Sequence, residues 1–268
     1  MKNSPLGVHT LSSSNGRTLG TSSGRTVGTF SWPHLGIISC PSTRLCGHKV
    51  SDTTVRKRRD EWIEAGVYDA IANEAIAGYD RIIGLDLSDV ALYGSLHKSP
   101  CGGEGTGKNP TDRAKLGWKW SILTDSYGIP IGWAIDGANR NDSVLLAPTL
   151  DDAAGRGLLH EIETIWLDRG YDSGVTRKRL AERSMADAVI AKNRKRSLVQ
   201  IKTNQPMGLR WLLERTNSWL SNYGQLRRNT DRSIVHRLAQ FALAVALLLV
   251  AKLIDWRTRW SPGLSPIR

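Results

Sequence analysis

Ile162-Glu163-Thr164-Ile165-Trp166-Leu167-Asp168-Arg169-Gly170-Tyr171-Asp172 decides the fold of this chain. Ile162 to Leu167 reads as a short apolar strand, Asp168 closes it, and Arg169-Gly170 turns the chain sharply. A helix is expected from Val175 to Arg183, and Ala188-Val189-Ile190-Ala191 reads as another short strand. Asp172 is expected to cap the helix that starts near Val175. Upstream, Ile82 to Leu92 reads as a strand. Trp118 to Thr124 and Ile129 to Ile135 read as a hairpin around Asp125-Ser126-Tyr127-Gly128. Leu146 to Leu159 is expected to be helical, and helices should occupy most of the segment from Leu209 to Trp256.

The composition bounds what such a chain can do. Its 268 residues are 40% hydrophobic, enough for a sizeable core, and its net charge is +12. That charge suits a polyanionic partner and equally describes a merely basic soluble protein. The three cysteines (Cys40, Cys46, Cys101) form no CxxC pair, so neither a disulfide framework nor a zinc site is supported. A reducing cytoplasm fits them, and the N-terminus lacks the apolar stretch of a signal peptide. Ala239 to Ile254 is strongly apolar, but it falls short of the ~20 residues a bilayer requires and contains Lys252. A helix buried against a sheet is expected there, with no membrane partner.

Four segments follow from the texture of the chain. Residues 1–48 are rich in Ser, Gly, Thr and Arg, repeat Gly-Arg-Thr, and show no periodicity, so disorder is expected. Residues 49–80 form a basic helical region opened by the capping residues Ser51-Asp52-Thr53-Thr54. Arg56, Lys57, Arg58 and Arg59 lie on it either as a groove-facing side of a helix-turn-helix remnant or as a solvated face. Residues 81–260 form the main domain, and 261–268 a tail.

Gly102-Gly103-Glu104-Gly105-Thr106-Gly107-Lys108 matches GxxxxGK. Asn109-Pro110 stands where a magnesium-holding Ser or Thr belongs, and no strand leads into the motif, so a flexible glycine loop is the expected reading. The chemistry that suits Asp168 is two-metal phosphoryl transfer, in which carboxylates from different elements converge on ions ~4 Å apart. Glu214 sits at a helical position with Arg210 one turn before it, where the guanidinium can hold the carboxylate or a phosphate. Trp211 and Trp219 either pack in the core or stack on a base.

With Leu92-Tyr93-Gly94-Ser95, Asn109-Pro110-Thr111-Asp112-Arg113, Gly137-Ala138-Asn139-Arg140-Asn141-Asp142, Leu167 to Asp172, Arg210-Trp211-Leu212-Leu213-Glu214-Arg215-Thr216 and Gln225-Leu226-Arg227-Arg228 in that order, the chain resembles the DDE transposases of bacterial insertion sequences. The resemblance runs from Ser51 to Trp260. It implies a ribonuclease H-like α/β core, a mixed sheet flanked by helices. It also implies double-stranded DNA as partner (terminal inverted repeats and target), assembly as a homo-oligomer on that DNA, and a place in the bacterial cytoplasm at the nucleoid. Similar proteins cleave at the element's ends with Mg2+ or Mn2+ and join the free 3′ ends to target DNA.

Carried onto this sequence, the resemblance makes Asp168 and Glu214 catalytic and metal-binding acids. Arg210 and Arg215, with Arg56 to Arg59, are its DNA-binding residues. The first acid falls at Tyr93, ahead of Gly94-Ser95. A tyrosine phenol, with a pKa near 10, is neutral at working pH and is no metal carboxylate. Asp86 and Asp89 lie on the same expected strand, with Asp89 roughly 13 Å from Tyr93 along it. Strongly reduced cleavage is expected, or a DNA-binding remnant that cuts nothing. The family's fuller helical region before Ser51 is not recognisable in residues 1–48, which suggests a truncated copy.

Overall fold

The computed structural model describes residues 43–45, 48–185, 188–190 and 207–260. Most of the segment expected to lack order, and the expected tail, lie outside these residues. At the edge of the first, β1 (Thr43–Leu45) pairs antiparallel with β2 (His48–Val50).

Two helices come next. In α1 (Asp52–Glu64) the Ser51 hydroxyl accepts a hydrogen bond from Thr54 N at 3.1 Å, the expected capping chemistry. Gly66 takes a left-handed φ of 67°, which lets α2 (Val67–Ile82) start immediately. Ala72, Ile76 and Tyr79 recur at helical spacing along α2 and are buried in the same core as the sheet. The strand expected from Ile82 therefore starts late. Ile82 still ends α2, Gly84 turns at φ 95°, and β3 runs over Asp89–Lys98. An Ile-Ile-x-Leu run reads as strand by composition, but burial of Tyr79 holds the helix one turn longer.

β4 (Gly107–Lys108), β5 (Leu116–Thr124) and β6 (Pro130–Gly137) follow, then α3 (Asp142–Gly155), β7 (Thr164–Leu167), α4 (Gly174–Ala181) and β8 (Val189–Ile190). The last part comprises α5 (Met207–Ser221), α6 (Gly224–Arg227) and α7 (Ile234–Trp260). The sheet runs in the order β6-β5-β3-β7-β8, with β4 beside the start of β5. β3, β5 and β6 are antiparallel neighbours, whereas β7 lies parallel to β3 and β8 parallel to β7. This is the ribonuclease H-like α/β arrangement, a mixed sheet flanked by helices.

Both faces of the sheet are covered, which is why β5 is buried at every position after Leu116 rather than alternating. On one face Tyr93, Trp118, Trp120 and Ile122 pack against α2 and α7 through Phe241, Val245 and Leu249. On the other, Val90, Leu92, Leu123, Ile165 and Leu167 pack against Leu146 and Leu150 of α3 and Leu180 of α4. Each large apolar side chain removed from water this way contributes roughly 1.5–3 kcal/mol. α7 is 27 residues long and is apolar enough over one stretch to cross a membrane, but half of that stretch is buried against the protein. The apolar segment 239–254 is thus a core helix, as expected.

The glycine-rich loop is ordered by α7. Arg237 is fully buried, and its guanidinium donates to the carbonyls of Gly102 (2.8 Å), Glu104 and Asp231, to Ser99 Oγ (3.3 Å) and to Asn229 Oδ1 (3.3 Å). The Glu104 carboxylate accepts from Ile234 N at 3.1 Å, satisfying an N-terminal amide of α7. Gly103, at φ 107°, lies so close to the Arg232 backbone that no side chain fits. Its loop carbonyls face a guanidinium, so this segment is a fixed structural loop and not a flexible one.

Candidate active site

β3 carries Tyr93 at its middle, opposite Ile122 of β5. Its parallel pairing with β7 ends at Leu92 beside Leu167. The register therefore sets Tyr93 beside Asp168, the first residue past β7, at about 4.8 Å strand spacing. Tyr93 belongs to the aromatic face of the sheet, the face that also receives α5. Asp168 is exposed, and its carbonyl accepts from Tyr171 N at 2.9 Å, closing the turn that the sequence Arg169-Gly170 announced.

Tyr93 is 8% exposed, and its hydroxyl has no hydrogen-bond partner among the described residues. Burial pushes its pKa well above the ordinary tyrosine value, so the phenol is neutral. A buried hydroxyl without a partner carries a desolvation cost of roughly 1–3 kcal/mol. The two upstream acids are engaged elsewhere. Asp86 accepts from Ser88 N (3.2 Å) and its hydroxyl (2.5 Å), and Asp89 accepts from the Trp166 indole N–H at 2.7 Å, at the start of β3.

Glu214 stands on α5, exposed. At 100° per residue it lies on the opposite side of the helix from the buried Thr216 and Leu220. α5 is anchored by Thr216 Oγ1, which donates to the Gly128 carbonyl at 2.6 Å, and by Arg215, which donates to the Tyr127 carbonyl. Gly128, at φ 79°, admits this approach because a Cβ there would stand 2.6 Å from Thr216 Oγ1. The Arg215 guanidinium lies 4.3 Å from the Trp211 ring centre and 4.8 Å from that of Trp219, so the residue read from sequence as DNA-facing is engaged in seating its own helix. Trp211 is 58% exposed, whereas Trp219 is half-buried under Lys252, at 3.7 Å. The Arg210 side chain lies outside the described residues. Asp172 pairs with Arg177 at 3.0 Å while Ser173 supplies the cap of α4, correcting the expected cap by one residue.

The basic run on α1 is internally paired. Arg56 meets Asp52 (2.8 Å), Lys57 reaches Glu61 (4.0 Å), Arg58 pairs with Glu61 (2.8 Å), and Arg59 contacts Asp60 (3.0 Å) and Asp231 (3.4 Å). Such exposed pairs contribute at most about 1 kcal/mol and open readily.

One pair escaped the reading of the sequence. Lys119, 7% exposed, donates to Asp142 Oδ1 at 2.7 Å and to the Arg140 carbonyl at 2.8 Å. Asp142 lies on the sheet face away from Tyr93, where a Cβ on Gly94 would meet its Oδ1 at 2.5 Å and one on Gly170 its Oδ2 at 3.3 Å. The pair thus braces the middle of β3 and the turn after β7 beneath Tyr93 and Asp168. Its signal in the sequence was a lysine between two tryptophans in a strand with no polar face.

Over residues 80–249 the chain matches the transposase DDE domain family. More than half of the chain is covered, and the protein belongs to this family. A protein of Burkholderia cepacia, assigned as the transposase for insertion sequence element IS402, is 40% identical over 135 residues, 47% of this chain. The chain spans 60% of that relative's length. The family uses a divalent metal, and the residues present do not fit one in the family's way. Tyr93, the register neighbour of Asp168, is a neutral phenol, and among the described residues no group of three or more His, Cys, Asp or Glu side chains is placed to hold an ion.

Proposed function

We propose that this chain is an insertion-sequence transposase that binds double-stranded DNA at element ends and whose phosphodiester cleavage is disabled at Tyr93. The observation that carries the reading is the register. Tyr93 stands beside Asp168 on adjacent parallel strands, where the resemblance puts the first two acids, and its hydroxyl is buried with no hydrogen-bond partner among the described residues. Asp168 and Glu214 are the two remaining acids of a three-acid set. A pair of Mg2+ or Mn2+ ions held by only two carboxylates lacks the ligand that positions the attacking oxygen, so in-line attack has no fixed geometry. On this reading residues 49–80 are a basic region ahead of the catalytic domain of residues 81–260. The arginines of α1, Arg210 and the remaining cations bind backbone phosphates, and the protein assembles as a homo-oligomer on DNA in the bacterial cytoplasm.

The test is a nicking and strand-transfer assay on DNA carrying the element's ends, with Mg2+ or Mn2+, comparing the natural chain, Tyr93→Asp, and Tyr93→Asp combined with Glu214→Gln. Cleavage by Tyr93→Asp alone, lost in the double variant, supports the reading. Cleavage by the natural chain, or persistence with Glu214→Gln, refutes the assignment of the acids. A second reading, a remnant that only binds DNA, is favoured by the same phenol, and it predicts binding with no cleavage in any variant.

A further inference from the structure

We propose that a groove at the C-terminal end of β3, beyond Tyr93, is a clamp for the phosphate backbone of duplex DNA. The proposal rests on the reading of the chain as a DNA-acting transposase and locates where its substrate is gripped. The groove has a volume of about 880 Å³ and is lined by His97 and Lys98 of β3, by Asp112 and Lys115 of the connection into β5, and by Arg227 and Arg228 at the end of α6. Four cations face one carboxylate.

The state of these cations separates them from the basic run of α1. Among the described residues Lys115, Arg227 and Arg228 make no ion pair, and Lys98 reaches Asp112 only at 3.9 Å. Unpaired guanidiniums side by side suit phosphate oxygens, which they meet through two parallel N–H donors. The frame is rigid. Asn229 N donates to the Lys98 carbonyl at 2.9 Å, fixing the end of α6 to β3, and Asn109 N donates to the Lys115 carbonyl at 2.8 Å, closing the opposite wall.

A second observation points into the groove. His97 is 7% exposed and stacks on Trp120 with ring centres 3.3 Å apart, and its Nε2 is buried with no hydrogen-bond partner. One Asp112 oxygen is likewise without a hydrogen bond. A polar floor of this kind beneath unpaired cations suits a hydrated anionic backbone. Lys98 is five positions beyond Tyr93 along β3, about 17 Å at strand rise. For a duplex lying along the strand, that is roughly five base pairs from the cleavage point. The groove thus holds flanking DNA in register while leaving the site beside Asp168 open.

The test uses the full chain and two fluorescently labelled mixed-sequence DNA duplexes, with affinity followed by anisotropy across a salt series. Arg227→Ala with Arg228→Ala is compared with Arg227→Lys with Arg228→Lys. Loss of two phosphate contacts flattens the slope of log affinity against log salt by about 1.8 and weakens binding roughly 10- to 100-fold near 0.1 M salt, equally for both sequences. The lysine variant retains most of the slope. Thermal unfolding of all three proteins coincides, because both arginines are exposed. An unchanged slope in the alanine variant while the natural chain binds overturns the clamp alone. Loss on one sequence only overturns the backbone reading in favour of base recognition. Failure of the natural chain to bind either duplex overturns both the clamp and its DNA partner.

Discussion

Arg237 and Tyr93 are both buried polar side chains, and the molecule treats them in opposite ways. The Arg237 guanidinium meets three carbonyls, a hydroxyl and an amide oxygen, whereas the Tyr93 hydroxyl meets nothing among the described residues. Desolvation penalises both, and only the first is compensated. A fully satisfied buried charge is a device of the fold, here the one that fixes the glycine loop to α7. On the proposed reading, the unsatisfied buried hydroxyl of Tyr93 is what remains when a residue occupies a place shaped for another chemistry. Asp125 lies between these limits. One of its oxygens accepts from Ile129 N (2.7 Å) and Tyr127 N (2.9 Å), and the other has no hydrogen bond among the described residues.

The strongest way to break the comparison is at its satisfied end. Arg237→Met keeps the stem that packs in α7 and strands the carbonyls of Gly102, Glu104 and Asp231. It should cost about 3–5 kcal/mol, read as a lowered urea midpoint at unchanged slope. A loss below about 1 kcal/mol would mean that water reaches the loop, and the distinction between the two side chains would fail.

Asp125 sharpens the middle of the scale through pH. Burial raises its pKa to about 6, opposed by the backbone N–H groups of Ile129 and Tyr127. The native state then holds a proton that the unfolded chain has released, so this group's contribution falls as pH rises from about 4 to about 6 and is flat above, by on the order of 3 kcal/mol in all. His97 acts with the opposite sign. Burial pushes its pKa down to about 3, so the unfolded chain binds the extra proton and stability is lost as pH falls below about 6.5. Between pH 4 and 6 the two slopes oppose each other in the natural chain. Asp125→Asn should uncover the histidine alone, with stability rising steadily with pH up to about 6.5. Urea unfolding of both proteins at several pH values decides it, and superimposable profiles would show that Asp125 is ionised in the fold.

What the sequence made legible follows the same line between local and distant causes. The β5–β6 hairpin was readable because its turn residues and strand patterns are adjacent, and Asp168 because an apolar run stops at it. The late start of β3 was missed because Tyr79, not Ile82, decides where α2 ends. Arg237 meets loop residues some 133 positions earlier in the chain, and nothing near it in sequence announces them. Lys119 and Asp142 are 23 positions apart, joined only by the packing of α3 on the sheet. Arg215 has a second, distant engagement that its own stretch of sequence does not announce. On a helix with Arg210 and Glu214 it reads as a phosphate ligand, and in the fold one of its guanidinium nitrogens donates to the Tyr127 carbonyl, because Gly128 lets the helix come close.

The smallest expected effect is the most telling one. Tyr93→Phe removes the hydroxyl and leaves the ring in contact with the same aromatic face. If the hydroxyl has no partner, the variant recovers its desolvation cost and loses no bond, so unfolding free energy should stay equal or rise by up to about 1 kcal/mol. The ring's packing argues against a larger change, since the phenylalanine fills the same volume to within one oxygen. A loss of more than about 1 kcal/mol in urea unfolding would mean that the phenol is bonded in solution, to water or to a neighbouring acid. In that case Tyr93 would be a working member of the site beside Asp168 rather than a replacement within it.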